Sequence, residues 1–197
     1  MIRSFTTLWT VIITIFIGFA GCAQKPQASI ALEPFEPNPA VYQKSGTIYL
    51  AAVKDIRKNR GVVGKIIKAG KIVTTVTISQ PVDRWFQESI IKALKVEGCN
   101  VTTKKSANPK IAKITILIDR LGATLNRDEL TKENLEATAR VTLLIEQGNK
   151  KITKHVGLTQ KKWVPPFTSE QSIQEYLQET LESLVESVRE HIDAYRF

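Results

Sequence analysis

The sequence predicts an α/β (α+β) fold: a two-layer sandwich in which a mixed, mostly antiparallel sheet of about six strands carries two helices packed on one face. Two stretches, 82–94 and 173–192, repeat apolar residues at three- and four-residue spacing. Around them lie short runs rich in Val, Ile and Thr, one of which alternates between apolar and polar. Apolar residues make up 43% and charged residues 24% of the chain, ordinary globular values that exclude wholesale disorder, a collagen repeat or a multi-span membrane protein.

The first β-type run is TIYLAAV, from Thr47, which reads as a buried strand ending near Asp55-Ile56-Arg57. A basic segment punctuated by glycines follows, from Arg57 to Lys65, and reads as a flexible loop. The run KIVTTVTIS then places Ile72, Val76 and Ile78 on one face of a second strand. Pro81 opens a helix whose stripe is Val82, Phe86, Ile90 and Leu94, widened by Trp85 and Ala93, and Gly98 is its stop. This helix sits where a crossover between strands 71–78 and 99–104 would place it.

Four β-rich runs follow: CNVTTK, KIAKITILIDRLGATL, NLEATARVTLLIEQ and KKITKHVGLTQKKW. In the third, Ala139, Val141, Leu143 and Ile145 alternate with Thr138, Arg140 and Thr142, the pattern of a strand with one buried face. Gln147-Gly148-Asn149 joins the last two as a hairpin, so the later strands form an antiparallel meander. Pro165-Pro166 breaks the chain, and Thr168-Ser169-Glu170-Gln171 has the form of a capping box. The last helix carries Ile173, Tyr176, Leu177, Leu181, Leu184, Val185, Val188 and Ile192 on one face.

The N-terminus has a different character. Arg3 precedes an uncharged stretch whose apolar centre runs from Leu8 to Ala20, the layout of a secretory signal. It ends in Phe19-Ala20-Gly21-Cys22, which resembles a bacterial lipobox, so Cys22 is expected to become the first mature residue and to carry a diacylglyceryl thioether. The competing reading is an uncleaved membrane anchor, since about 20 apolar residues span a bilayer. Lipidation of Cys22 would leave Cys99 as the only other cysteine, with no intramolecular disulfide. Ala23, rather than Asp, follows Cys22, which by the enterobacterial sorting pattern implies the outer membrane, with the inner membrane as the alternative. Four of the eight prolines, Pro26, Pro34, Pro37 and Pro39, fall just beyond. Residues 1–21 are therefore expected to be a signal peptide, 22–46 a lipidated Cys and Pro-rich tether, and 47–197 a single periplasmic domain.

Catalytic patterns are thin. The two histidines, His155 and His191, have no Cys, His or carboxylate at metal-ligand spacing, so neither a metal nor another cofactor is expected. Gly61-Val62-Val63-Gly64-Lys65 has too few residues between its glycines for a phosphate loop, and Ile66 stands where Ser or Thr would hold magnesium. No Gly-x-Ser-x-Gly occurs, Cys99 lies among small and β-branched residues as an inert buried thiol would, and Asp128-Glu129 with Lys132 and Glu133 read as a solvated turn. No enzymatic activity is expected; the alternative is a periplasmic hydrolase or transferase with a cryptic site.

The lipobox, Asp55-x-Arg57 after the first strand, the second strand leading into Val82-x-x-Trp85-Phe86-x-x-x-Ile90, Leu94 and Gly98, the hairpin at Gly148-Asn149-Lys150 and the long final helix occur in one order. In that order they resemble the YajG-type family of bacterial lipoproteins. The resemblance implies an outer-membrane lipoprotein with a periplasmic α/β domain and brings no catalytic residues with it.

Charge suggests the partners. The net charge is +9, but residues 22–167 carry 25 basic and 12 acidic side chains whereas residues 168–197 carry 2 and 7. Arg57, Lys58, Arg60, Lys65, Lys68 and Lys71 lie close in sequence and could touch anionic lipid or cell-wall polymer; the plain alternative is a solvated loop. Glu175, Glu179, Glu182, Glu186 and Glu190 form a stripe on the last helix that could dock an envelope protein or a second copy, or be simply solvated. Nucleic acid is not expected, because the basic residues are scattered without interleaved aromatics and the chain is exported. The oligomeric state is not legible.

Overall fold

The structure, a computed structural model, describes residues 26–38, 45–106, 108–128 and 133–196. Among these residues eight strands and two helices follow in the order β1 (Gln27–Ile30), β2 (Gly46–Asp55), β3 (Val62–Lys68), β4 (Lys71–Ile78), α1 (Val82–Val96), β5 (Cys99–Thr102), β6 (Ala112–Asn126), β7 (Glu133–Gln147), β8 (Lys150–Val164) and α2 (Glu170–Asp193).

β6 organises the sheet. One edge pairs antiparallel with β7 from Lys113 to Asn126, and β7 pairs antiparallel with β8. The other edge is divided: its first half pairs parallel with β2 and its last turn of ladder, Ala123–Asn126, pairs parallel with β3. β5 lies outside β2, while β4 and then β1 lie outside β3. The segment between β2 and β3 is thus an excursion inside what is otherwise one continuous edge.

The reason β6 can serve both halves is written in its apolar pattern. Ile114, Ile116 and Ile118 are buried at even positions, two polar residues intervene, and Leu121, Ala123 and Leu125 are buried at odd positions. A register shift between Ile118 and Arg120 absorbs the extra residue as a β-bulge, so both apolar sets face the same layer. β7 supplies the matching row Leu135, Ala137, Ala139, Val141, Leu143 and Ile145.

Both helices lie on this apolar face. α1 packs on β2 and β5, α2 packs on β6, β7 and β8, and the two touch. Phe86, Ile90 and Leu94 from α1 and Ile173, Leu177 and Val188 from α2 are fully buried, each side chain worth roughly 1.5–3 kcal/mol by transfer. Pro81 caps α1 with φ −64°, and Gly98, at φ 82°, takes the left-handed turn that ends it.

Several expectations are corrected. The sheet has eight strands rather than about six, and parallel pairs outnumber antiparallel ones, four to three, although the long ladders are antiparallel. One extra strand comes from the basic segment: Val63 and Ile66 are buried on β3, where the glycines suggested a loop. The other comes from the expected tether. β1 pairs with β4, and Ile30, Leu32 and Phe35 enter the core, so the folded unit begins well before residue 47. Pro34 and Pro37 stand in this ordered segment, where they stiffen a chain that carries no ladder beyond Ile30. α1 does join β4 to β5, and β5 lies outside β2 whereas β4 lies outside β3. Ser169 caps α2 by position, without a side-chain hydrogen bond, so the capping box does not form. An irregularity between Ile66 and Ile67 turns Ile72 outward, away from the face of Val76.

Candidate functional site

The six basic residues that cluster in sequence are separated in space. Arg57 is buried and belongs to no surface patch. Its Nε and Nη2 hold the Asp55 carboxylate at 2.9 and 2.7 Å, Nη2 also donates to the Arg60 carbonyl at 2.8 Å, and Nη1 donates to the carbonyls of Val62 and Leu121 at 3.1 and 3.3 Å. This fork pins the excursion between β2 and β3 to the bulged part of β6. Lys58 and Arg60 are exposed on that excursion. Lys68 and Lys71 stand opposite one another at the far end of the β3–β4 hairpin, roughly 20 Å away at ~3.3 Å per residue. Between them Lys65 is exposed on the face of the sheet opposite the helices.

That helix-free face is where side chains of several strands converge. Lys65, Thr75, Arg120, Gly122, Thr124 and Thr138 line an open groove of about 530 Å³. Arg120 and Thr138 continue it into a second groove of about 250 Å³ with Arg140, His155, Gly157 and Thr159. The bulge sets Arg120 directly opposite Arg140 across β6 and β7. Arg140 lies across Gly157, where a Cβ would come within 2.9 Å of its Cγ. The Thr142 hydroxyl donates to Asp119 at 2.6 Å and meets His155 Nδ1 at 2.8 Å. Since an ionised carboxylate only accepts, the Thr142 proton goes to Asp119 and its oxygen accepts Nδ1–H, leaving Nε2 outward.

Arg120, Arg140 and Asp119 carry none of the motifs that single out a site from sequence, and His155 alone reads as an ordinary strand histidine. A usable signal existed: adjacent polar residues at 119 and 120 interrupt the alternation of β6 and so mark the bulge.

The five glutamates share one side of α2, with Glu175, Glu179 and Glu190 exposed and Glu182 and Glu186 half-buried. They are partly satisfied within the domain. Lys162 of β8 reaches Glu179 at 3.9 Å, Arg189 takes Glu186 at 2.9 Å and Glu190 at 3.7 Å, and Gln178 donates to Glu182. Burial, and then the neighbouring Glu190, raise the Glu186 carboxyl above its ordinary value. Glu179, Glu182 and Glu186 border an open groove of about 440 Å³ together with Phe35, Glu36 and Gln160.

Other candidates resolve into structure. Cys99 is buried beside the helices, and burial pushes its thiol up despite the nearby Arg196 guanidinium, which suits a core residue and not a nucleophile. Glu133, expected in a solvated turn, is buried, accepting from the Phe167 amide at 3.0 Å and paired with Arg127 at 3.4 Å. His191 Nδ1 meets the Ser187 carbonyl within α2. Among the described residues no group of His, Cys, Asp and Glu converges to hold a metal, and no helix is long and apolar enough to cross a membrane. Cys22 and the apolar run before it lie outside the described residues.

Two solved structures share the fold. One, described as an uncharacterized protein, superimposes with a TM-score of 0.53 at 10% identity, covering 85% of this chain and 99% of its own. The other, a Xanthomonas campestris protein of the DUF330 family, gives 0.51 at 14% identity, covering 82% and 92%. No curated protein matches. The model of a bacterial protein family, Lipoprotein_16, described as uncharacterized lipoprotein, matches residues 37–190, almost to the end of α2, and the chain belongs to that family of lipoproteins.

Proposed function

We propose that this chain is a lipid-anchored envelope lipoprotein of the YajG type whose α/β domain is a non-catalytic binding module. The reading rests on membership of a lipoprotein family together with Cys22, set directly behind an apolar run that ends in Ala20-Gly21. Cys22 carries the acyl chains and joins the domain to the membrane, and more than one chain is what makes such an anchor stable. Ala23 supports retention at the outer membrane with the domain in the periplasm. The polar, grooved face of the sheet is the surface offered to an anionic lipid or cell-wall polymer, and the glutamate stripe of α2 is the surface offered to a basic envelope protein.

The hydrolase alternative finds one supporting observation, the Asp119–Thr142–His155 chain. Its polarity speaks against it. Thr142 gives its proton to a carboxylate rather than to the histidine, so the chain orients the imidazole and does not activate a nucleophile. Cys22→Ser, expressed from its native signal and fractionated, tests the anchoring. The wild type should sediment with envelope membranes and incorporate labelled palmitate, while the variant should do neither as a mature product. A Cys22→Ser product of mature mass that still labels and sediments overturns the proposal.

A further inference from the structure

We propose that the helix-free face of the sheet holds a phosphate-binding site formed by Arg120, Arg140 and His155. The site deepens the binding-module reading by naming its ligand chemistry.

The first observation is a charge arrangement that folding alone disfavours. Arg120 and Arg140 are directly opposite residues on neighbouring strands, and both are exposed. Like charges in that position repel, and cross-strand pairs stand only about 4.5–5.5 Å apart at Cβ. Other strand cations here are relieved by carboxylates, Lys113 by Glu146 at 3.2 Å and Lys161 by Glu136 at 2.9 Å, and another like-charged cross-strand pair, Lys68 and Lys71, stands at the tip of the β3–β4 hairpin. Among the described residues the side chain of neither Arg120 nor Arg140 has a hydrogen-bond or ion-pair partner. Two guanidinium forks are left open toward the same space.

The second observation is that the backbone makes room for them. The bulge at Ile118–Arg120 is what brings Arg120 level with Arg140. Gly157 on β8 leaves the space in which the base of Arg140 lies, because a Cβ there would meet its Cγ at 2.9 Å and its Cβ at 3.0 Å. A side chain there would also press on the Ala139 carbonyl at 3.1 Å, so Arg140 or the strand would have to shift.

The third is the oriented imidazole. The Asp119 carboxylate fixes Thr142, and Thr142 fixes Nδ1–H of His155, so Nε2 is the atom presented to the groove shared with both arginines. A tetrahedral phosphate matches this set: guanidinium forks bind its oxygens bidentately, and the Nε2 lone pair accepts the P–O–H proton of a monoanion. A carboxylate or sulfate lacks the proton that Nε2 accepts. The same chemistry can be presented by a phosphate monoester in solution or by a phospholipid head group. The 530 Å³ groove that begins at Arg120 leads to Lys65 and leaves space for the remainder of the molecule; its one carboxylate, Glu136, is taken by Lys161 at 2.9 Å.

The experiment uses the full-length chain in neutral detergent micelles, with ¹⁵N-arginine side-chain resonances and calorimetry as readouts. Glycerol 3-phosphate is titrated in one arm and phosphatidic acid, mixed into the micelles, in the other, with sulfate as a control. Saturable binding of at least one phosphate probe is expected, shifting the Nε signals of Arg120 and Arg140. Binding only in the first arm assigns a soluble monoester, and binding in the second assigns a head group. Arg120→Gln and Arg140→Gln should each weaken binding at least tenfold. Without ligand they should melt no lower than the wild type, since they relieve repulsion, which separates loss of the site from loss of the fold. Lys68→Gln/Lys71→Gln, remote on the hairpin, should bind normally. Failure of both probes, equal binding by the arginine variants, sulfate binding as tight as phosphate, or equal weakening by the hairpin variant overturns the site. None of these results touches the lipid anchor, whose own failure would show in Cys22→Ser instead.

Discussion

Asp55→Ala is expected to destabilise the domain by about 3–5 kcal/mol, the cost of leaving a buried charge without its partner. The Asp55 and Arg57 side chains are only 4% and 6% exposed, and the carboxylate takes both Nε and Nη2. With Asp55 gone, the guanidinium remains enclosed by β3, β6 and the excursion with only carbonyls to receive it. Arg57→Ala should be equally costly for a different reason. It strands Asp55 and removes the donors to Arg60, Val62 and Leu121, so the excursion loses its tie to the bulge of β6. Asp55→Leu with Arg57→Met should recover part of the loss, because a well-packed apolar pair can replace a buried ion pair, but not the part owed to the three carbonyls. Urea denaturation of the purified variants measures this. Single variants within about 1 kcal/mol of the wild type, the range of exposed ion pairs, would contradict it.

Phe35→Ala is expected to cost about 3–5 kcal/mol, the usual range for emptying a buried aromatic site. Were residues 27–38 a free tether, the cost would be close to zero. The segment is held by more than Phe35. Ala28 and Ile30 extend the ladder of β4, the Trp85 indole donates to the Glu33 carbonyl at 2.7 Å, Gln80 donates to Leu32 at 3.0 Å, and Lys92 donates to Phe35 at 2.9 Å. Thermal melts of Phe35→Ala and of Glu33→Ala should separate core packing from surface effects, since Glu33 contributes its backbone to these bonds and Ala preserves that backbone. A Phe35→Ala melt coincident with the wild type would return the segment to the tether.

What could be read from sequence follows from how local each signal is. The two helices are strongly periodic, and their buried stripes match the spacing that announces them: Phe86, Ile90 and Leu94, then Leu177, Leu181 and Val188. The long strands β6, β7 and β8 announce themselves by alternation and by the Gly148 turn, which has φ 58°. Strand partners are not local. Nothing in TIYLAAV says that β2 will lie parallel to both β5 and β6, and a four-residue strand such as QASI carries too few alternations to be seen among prolines. Gly61 and Gly64 concealed β3 because glycine is ordinarily a turn signal; Gly64 is instead a packing glycine, where a Cβ would meet Val76 at 3.1 Å. The basic cluster misled for a related reason. Nearness along an extended chain is distance in space, and Arg57 spends its charge on Asp55. Arg120 and Arg140, 20 positions apart in sequence, are the pair that the sheet brings together.

Whether lipid on Cys22 holds the chain to the membrane is read from the mass of the N-terminal proteolytic fragment of the native protein from purified envelopes. Membrane partition alone would not separate a lipid anchor from an uncleaved apolar helix; the fragment mass does. The expected fragment begins at Cys22 and carries a diacylglyceryl thioether, with or without a further acyl chain on its amine. A fragment that begins at Met1, or an unmodified Cys22 in the mature chain, would contradict the lipid anchor.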